Sequence, residues 1–338
     1  MNPAPAVTVL LPVHNAEAFI EGSVRSILQQ TFTDFELLVI DDGSTDRTPE
    51  ILRGFTDPRL RLEPNGRNLG LIATLNRGLD LARGRYIARM DADDLALPAR
   101  LEKQYACMEA RPDVGVLGTW VRTLGLDEDY DITFGRGHDY IRFRLFFSNY
   151  LHHPSVMLRK SVLDTHGIRY GDYLHIEDYE MWLRIAEYAR IDILPEILLR
   201  YRIHGNNISM VNKDFQENHS ARMRRRQVES LGISVTDAEW VLYEAFLERT
   251  PVDTVAGYRM LVSVLERIVR ANREKRLVEP GLLEAFFGKR LYEATQAGTR
   301  LGWGMYRAFR RSLFFRMEKR SVPTGIRLFV KCLISYSR

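Results

Sequence analysis

The chain has 338 residues, of which 45% are hydrophobic and 27% charged, and its formal net charge is +4. The composition is ordinary for a globular protein, and the length allows one large core plus an appendage. The two cysteines, Cys107 and Cys332, are too few for a disulfide framework or a cysteine zinc site. No apolar run approaches the length of a transmembrane helix, and the first six residues lack the features of a secretory signal. We therefore expect a cytoplasmic protein.

Strand and helix patterns alternate through the first part of the chain. The spacing of apolar residues predicts, in order, a strand at 7–11, a helix at 19–28, a strand at 35–40, a helix around 48–52, a strand around 60–62, a helix at 71–82 and a strand at 85–90. Asn15 is the predicted N-cap of the first helix, and Thr48-Pro49 caps the second. This order predicts an α/β fold with a Rossmann-like, mostly parallel sheet flanked by helices.

Polar residues follow three of the predicted strands. His14-Asn15 follows the first strand, Asp41-Asp42 the second, and the segment from Asp91 to Asp93 the last. In an open α/β sheet, ligands bind in the crevice outside the carboxyl ends of the strands. We therefore expect the three loops to line one site.

The segment Met90-Asp91-Ala92-Asp93-Asp94 is a candidate metal site. If it is extended, Asp91 and Asp93 project from the same face and can share one ligand. Carboxylate oxygens suit Mg²⁺ or Mn²⁺, which commonly fill their other positions with substrate phosphates and water. The alternative is an ordinary solvated turn, in which Asp94 is only a turn or helix-capping residue.

The motifs together carry a family resemblance. Residues 7–15 read Val-Thr-Val-Leu-Leu-Pro-Val-His-Asn, residues 41–46 Asp-Asp-Gly-Ser-Thr-Asp, residues 68–70 Asn-Leu-Gly, and residues 90–94 Met-Asp-Ala-Asp-Asp; His-Pro-Ser-Val-Met at 153–157, Glu-Asp at 177–178, Trp-Leu-Arg at 182–184 and Tyr-Arg-Ile-His at 201–204 follow. Over about residues 5–210 the chain resembles bacterial-type family 2 glycosyltransferases, which have the GT-A fold. The resemblance implies a metal-dependent, inverting enzyme of the hexosyltransferase class. It would move a sugar from a nucleotide-diphosphate sugar, with a UDP-sugar favoured, to a hydroxyl of a saccharide or lipid-linked acceptor in surface polysaccharide or glycan biosynthesis.

The resemblance also implies roles for single residues. Asp178 matches the catalytic base, although an acidic pair that opens a helix at 179–188 is the simpler structural alternative. Asp93 is the first-choice ligand for Mn²⁺ or Mg²⁺, Asp91 contacts the ribose or a metal-bound water, and His204 completes the metal shell or remains a loop histidine. Glu177 and Trp182 are expected to position the acceptor or a loop. His153, before Pro154 and a predicted strand, is expected to be structural.

The expected nucleotide-sugar pocket is formed by the loops after the first strands. Its predicted residues are Pro12, Val13, His14, Asn15, Asp41, Arg67, Asn68, Asp91 and Ala92, with Asp41 matching the carboxylate that accepts the imide N–H of uracil or thymine. Asp42 has a plain alternative as a turn residue, and Arg67 and Asn68 have one as a solvated loop. The chain departs from the family at His14, where the family usually has Tyr, and this puts the choice of nucleotide in doubt.

The pattern changes after about residue 210, so we predict a GT-A domain at 1–210 and a helical region at 211–338. Four helices are predicted, at 215–231, 236–249, 255–275 and 280–297. From Trp303 onward, nine Lys or Arg residues accompany only Glu318 among acidic residues. An apolar stripe at helical spacing (Trp303, Tyr306, Phe309 or Arg310, Leu313, Phe314 and Met317) lies between these charges. It predicts either an interfacial helix drawn to anionic lipid at the inner face of the cell membrane or a helix docked on the catalytic domain with solvated arginines. Nucleic-acid binding is not expected, because no recognition module is present.

Two other classes of function remain open. A catalytically silent nucleotide-sugar or saccharide-binding module would keep the fold but lose the carboxylates, and Asp91, Asp93 and Asp178 are all present. A nucleotidyltransferase would share the α/β crevice, but it normally has a Gly-rich, basic phosphate loop after its first strand. The segment Pro12-Val13-His14-Asn15 is not such a loop.

Overall fold

A computed structural model describes residues 4–205 and 213–317 of the chain. The chain divides into two compact units, Met1–Ser220 and Ala221–Arg338. The boundary predicted at residue 210 lies outside the described residues. The first unit is built on one mixed sheet, and the second is helical in its described part.

The sheet of the first unit begins with four parallel strands. Its strands are Val7–Val13 (β1), Phe35–Asp41 (β2), Leu60–Pro64 (β3), Tyr86–Arg89 (β4), Leu95–Ala96 (β5), Val114–Leu124 (β6), Asp131–Ile132 (β7), Met157–Arg159 (β8) and Arg190–Arg202 (β9). The spatial order is β3-β2-β1-β4-β8-β6-β9-β5, and β7 pairs with β6. Strands β3, β2, β1 and β4 are mutually parallel. Every residue of β1 is buried, which explains its continuous apolar sequence, because a parallel strand covered on both faces has no solvent side.

The second half of the sheet contains both strand directions. Strand β8 runs antiparallel to β4 and β6, whereas the long strands β6 and β9 are parallel to each other. The short strand β5 joins the far edge by pairing antiparallel with β9. This pairing places the end of β9 beside the loop that follows β4.

Helices and loops connect the strands of the first unit. They are Ile20–Leu28 (α1), Thr48–Arg53 (α2), Leu71–Leu81 (α3), Arg100–Ala110 (α4), His138–Leu145 (α5), Lys160–Thr165 (α6) and Glu177–Ile185 (α7). The predicted cap at Asn15 is wrong, because α1 begins five residues later and has no side-chain cap. Asn15 has a left-handed backbone (φ 50°), and its side-chain oxygen accepts a hydrogen bond from the Thr45 amide instead. The residue therefore ties two loops together.

The helical region has the predicted number of long helices. Lys213–Ser230 (α8), Asp237–Glu248 (α9), Val255–Lys275 (α10) and Pro280–Ala297 (α11) are followed by Gly302–Arg311 (α12) and Leu313–Met317 (α13). Thr236 and Glu239 form a capping box that fixes the start of α9. No helix among the described residues is long and apolar enough to cross a membrane.

The described part of the basic tail is packed against protein. Tyr306, Phe309 and Phe314 are buried, whereas Trp303 is 40% exposed. The apolar stripe is thus largely covered, and the rings of Phe287 and Tyr292 in α11 contact Phe314 and Phe309. The covering surface shown belongs to the helical unit and not to the catalytic domain that was predicted, and a covered stripe disfavours the interfacial helix. Glu318 and all residues after it lie outside the described residues.

Candidate active site

One cavity of about 910 Å³ lies at the carboxyl ends of β1, β2 and β4. The predicted residues that line it are Pro12, Val13, His14, Asn15, Asn68, Asp91, Ala92, Asp93, Glu177, Asp178 and His204. Parallel strands bring their carboxyl ends to one edge of a sheet, so loops distant in sequence meet there. The structure therefore brings the three predicted loops together, and the segment containing Glu177 and Asp178 joins them.

His14 connects the first loop to two others. Its Nδ1 lies 3.0 Å from the carbonyl oxygen of Asp42, and its Nε2 lies 3.1 Å from Nδ2 of Asn68. A carbonyl oxygen only accepts and an amide nitrogen only donates, so this network assigns the ring proton to Nδ1. The ring is held in one orientation on the cavity wall, where its face and edge can meet a flat base.

The structure corrects the assignment of Asp41. Asp42 lines the cavity, whereas Asp41 and Arg67 are not among the described residues that line it. Strand β2 ends at Asp41, and the Asp41 carboxylate accepts a hydrogen bond from the Ser44 amide. The Asp42 carboxylate accepts hydrogen bonds from the backbone amides of Leu69 and Gly70. Asp42 thus supports the loop before α3 while facing the cavity.

The acidic segment is a turn, not an extended strand. Strand β4 ends at Arg89, and the predicted alternation over Asp91 and Asp93 is therefore wrong as a description of the backbone. The turn nevertheless gathers the carboxylates: oxygen atoms of Asp91, Asp93 and Asp94 lie within 4.8 Å of one another. Arg89 forms an ion pair with Asp91 from beneath the turn.

Asp94 is a buried structural carboxylate. Its Oδ1 accepts a hydrogen bond from the Arg202 amide, and its Oδ2 is buried without a partner among the described residues. Burial and the adjacent Asp91 and Asp93 charges raise the pKa of Asp94 well above the usual value. Burial also raises the pKa of Asp91, where the Arg89 charge acts in the opposite direction. Three crowded carboxylates are a donor set that a hard divalent cation fits, because its charge offsets their repulsion.

His204 lies at the same turn. Its Nε2 is 2.9 Å from Oδ2 of Asp93, and its ring stacks on Phe19 with the centroids 5.0 Å apart. The Arg202 guanidinium also lies over the Phe19 ring, 4.9 Å from its centroid, and its Nε donates a hydrogen bond to the Asp93 carbonyl oxygen. Asp93 and His204 can therefore face one ion together.

Asp178 lies on the same cavity wall in a nearly buried position. Nδ2 of Asn149 donates a 2.7 Å hydrogen bond to its Oδ2, and the Tyr179 amide donates to Oδ1. Burial raises the pKa of Asp178 to about 6, although the Asn149 and Tyr179 hydrogen bonds oppose the increase. Burial and the Asp178 charge raise the pKa of Glu177 to about 7. A carboxylate with a raised pKa in a cavity is a candidate general base.

Trp182 is fully buried in α7 and does not reach the cavity. Its ring meets His153 edge to face, with the centroids 5.8 Å apart, and Nε2 of His153 shares a 2.8 Å hydrogen bond with the Tyr170 hydroxyl. Trp182 therefore does not contact the cavity directly. It can position a loop only through His153. His153 lines the cavity, and burial keeps its pKa well below the usual value.

Arg89 and Asn149 are two of the site residues that were not predicted. Arg89 is a buried charge in an otherwise apolar strand immediately before the acidic segment, and that contrast was a usable signal. Asn149 lies in a loop without a recognisable motif, and it reaches Asp178 only through the folded chain.

The mixed sheet flanked by helices has the architecture of GT-A glycosyltransferases. The profile described as Glycosyl transferase family 2 matches residues 8–167. An uncharacterized glycosyltransferase of Haemophilus influenzae is 32% identical over 242 residues, which make up 68% of this chain and 75% of the relative. The O-antigen biosynthesis glycosyltransferase WbnJ of Escherichia coli is 33% identical, over 60% of this chain and 81% of the relative. The chain belongs to glycosyl transferase family 2.

A solved structure supports the fold. S. aureus TarS 1-349 in complex with UDP-GlcNAc superposes with a TM-score of 0.55 at 18% identity, and the match covers 85% of this chain and 88% of the TarS chain. At this identity the likeness concerns the fold alone.

Proposed function

We propose that this glycosyltransferase moves a sugar from a nucleotide-diphosphate sugar, with a UDP-sugar favoured, to a hydroxyl of a saccharide or lipid-linked acceptor, with inversion at the anomeric carbon. The observation that carries the proposal is the shared cavity: the loop at His14, the acidic turn at Asp93 and the buried Asp178 line one space. These parts correspond to base binding, diphosphate neutralisation and acceptor deprotonation.

The donor occupies the part of the cavity nearest β1 and β2. His14 offers an aromatic face, and Asp42, in place of Asp41, offers the carboxylate nearest the base. Support for a UDP-sugar comes from the fold relative TarS, whose structure was solved with UDP-GlcNAc. Asn68 and the amides before α3 hold this pocket through His14 and Asp42.

Asp93 and Asp91, with His204 beside them, would hold Mn²⁺ or Mg²⁺. Such an ion acts as a Lewis acid that neutralises charge on the departing diphosphate. Arg89 fixes Asp91 from below, and Arg202 holds the backbone of the turn at Asp93. Both arginines therefore hold the acidic turn in place.

Asp178 accepts the proton of the attacking hydroxyl. A single base and direct displacement give one inversion of configuration. With a pKa of about 6, most Asp178 carboxyls are ionised at neutral pH, and the basicity remains higher than that of an exposed aspartate. Asn149 holds one oxygen of the carboxylate and the Tyr179 amide holds the other, which fixes its orientation.

The acceptor end of the cavity is rich in aromatic residues. Its wall beyond Asn149 contains Tyr130, Phe134, Tyr150, His152 and Tyr201. The Phe134 and Tyr150 rings meet edge to face at 5.2 Å, and Tyr130 is 54% exposed. Apolar and aromatic walls with few polar groups are typical of sites that hold a small ligand by its faces, and sugar rings present such faces. A saccharide acceptor fits this wall, in agreement with the O-antigen function of WbnJ.

The test is metal-dependent release of nucleoside diphosphate from a panel of UDP-, GDP- and dTDP-sugars. We expect one donor class to be turned over in Mn²⁺ or Mg²⁺ and turnover to stop in excess chelator. Binding of nucleotide sugars without turnover, in the presence of saccharide and lipid-linked acceptors, would instead indicate the silent binding module. Synthesis of a nucleotide sugar from a sugar phosphate would indicate a nucleotidyltransferase.

A further inference from the structure

A second cavity, of about 500 Å³ and open to solvent, lies wholly within the helical unit, between α10 and α12. Its polar and charged lining residues are Arg259, Ser263, Glu266, Arg307, Arg311 and Ser312. The volume is within the range of about 300–1,000 Å³ that is typical of small-molecule sites. The three arginines are exposed, and none of them belongs to the candidate active site.

Three arginines make the lining of this cavity positively charged. Arg259 comes from α10, and Arg307 and Arg311 come from successive turns of α12, so their side chains converge from two helices. Among the described residues, no acidic side chain forms an ion pair with any of the three. Other arginines of α10 are paired: Arg267 with Glu239, Arg270 with Glu266 and Arg273 with Glu284.

Glu266 is the one acidic residue of the lining, and its oxygens are already engaged. Oε1 accepts a 2.7 Å hydrogen bond from the Leu313 amide, and Oε2 lies 3.3 Å from Nη2 of Arg270. Glu266 therefore holds the start of α13. Its negative charge is paired with Arg270, which does not line the cavity. The exposed hydroxyl of Ser263 adds a neutral hydrogen-bond donor.

We propose that this cavity binds a phosphate-bearing ligand through Arg259, Arg307 and Arg311. A guanidinium group presents paired N–H donors that match the oxygens of a phosphate, and several such groups around one anion also relieve their mutual repulsion. A monocarboxylate brings a single negative charge, whereas a phosphomonoester or diphosphate brings enough charge to engage all three arginines. The phosphate belongs either to a soluble phosphorylated molecule or to an anionic lipid headgroup.

The first arm of the test uses inorganic pyrophosphate. The full chain is titrated by calorimetry in excess chelator, which suppresses metal-dependent binding in the other cavity. Arg307→Gln is compared with Arg310→Gln, because Arg310 is an exposed arginine on the same helix that does not line the cavity. We expect Arg307→Gln to weaken binding about tenfold, the loss of one charged hydrogen bond, and Arg310→Gln to change it less than twofold.

The second arm uses vesicles of pure phosphatidylcholine and vesicles that also contain phosphatidylglycerol. If the chain cosediments with the anionic vesicles, and if Arg307→Gln reduces this binding while Arg310→Gln preserves it, the ligand is a lipid phosphate. Pyrophosphate binding with the same variant pattern, but no vesicle binding, would identify a soluble ligand. The proposal is overturned if the wild-type chain binds neither probe, or if both variants lose binding equally, which would indicate diffuse charge. A folded state for each variant is checked by circular dichroism.

Discussion

Nδ2 of Asn149 lies 2.7 Å from Oδ2 of Asp178 and donates a hydrogen bond to it across the cavity wall. Burial raises the pKa of this carboxyl to about 6, and the Asn149 hydrogen bond limits the increase by stabilising the ionised form. The two residues are 29 positions apart in sequence and meet only in the fold. Asn149 thereby increases the fraction of the proposed base that is ionised at neutral pH.

Replacing Asn149 with Ala should move the acid limb of the pH–rate profile to higher pH. The rate requires ionised Asp178 and falls as pH drops through its pKa. Loss of a hydrogen bond to the ionised form raises that pKa, so the variant should lose proportionally more activity at pH 6 than at pH 8. Glu177, with a pKa of about 7, and Arg89 also act on this carboxyl, so the limb reports the coupled group. Superimposable profiles for variant and wild type would contradict the role of Asn149.

Replacing Asp93 with Ala should abolish most metal-dependent turnover while the chain remains folded. Asp93 is only partly buried and is within hydrogen-bond distance of His204, so its loss removes a ligand without opening the core. Nucleotide release is measured over a Mn²⁺ titration, with Asp34→Ala, an exposed aspartate outside the cavity, as the control. Wild-type turnover by Asp93→Ala in excess chelator would exclude the metal role.

Gly43→Ala should weaken donor binding. Gly43 has a left-handed backbone (φ +72°), and an added Cβ would lie 2.5 Å from the backbone of Arg67 and Asn68. The clash must shift Asn68, which holds the His14 ring. Gly66→Ala is the matched control, because Gly66 has a similar φ (+74°) and nothing within 4 Å of the added Cβ. Both substitutions carry the backbone strain of roughly 1 kcal/mol, and only Gly43→Ala should raise the KM for the donor several-fold.

Phe309→Ala tests whether the basic tail is docked. Phe309 is 2% exposed, so truncation should lower the free energy of unfolding by about 3–5 kcal/mol, as for other buried Phe residues. Trp303→Ala, at a 40% exposed aromatic on the same helix, should cost much less. Denaturant unfolding of the two variants is compared. Equal and small effects would show that the helix is not held by its apolar stripe.

The location of the site was predictable because it follows from topology. Three strands end at polar residues, and parallel strands place those ends together whatever their detailed geometry. The proximity of Asp91 to Asp93 was expected for the wrong reason, because β4 ends at Arg89 and a turn brings the carboxylates together. A short acidic segment after a strand is compatible both with a turn and with a continued strand. Local sequence does not distinguish these two conformations.

The finer assignments depended on the register of the fold. Asp41 is the last residue of β2 and Asp42 the first residue of the loop, so the position at which the strand ends decides which carboxylate lines the cavity. Sequence periodicity fixes that position poorly where both faces of the strand are buried. Asn149 and Arg202 act through contacts of long sequence separation. Neither contact has a local pattern that would predict it.

The rate of sugar transfer by Asp178→Asn tests the proposed catalytic base most directly. Asparagine keeps the size of the side chain and removes the base, so we expect a rate about 10²-fold or more below wild type with donor affinity little changed. Glu177→Gln, at the neighbouring carboxyl, should retain more activity than Asp178→Asn, and the wild-type product should have the inverted anomeric configuration by NMR. A near wild-type rate for Asp178→Asn, or a product of retained configuration, would contradict an inverting transfer with Asp178 as the base.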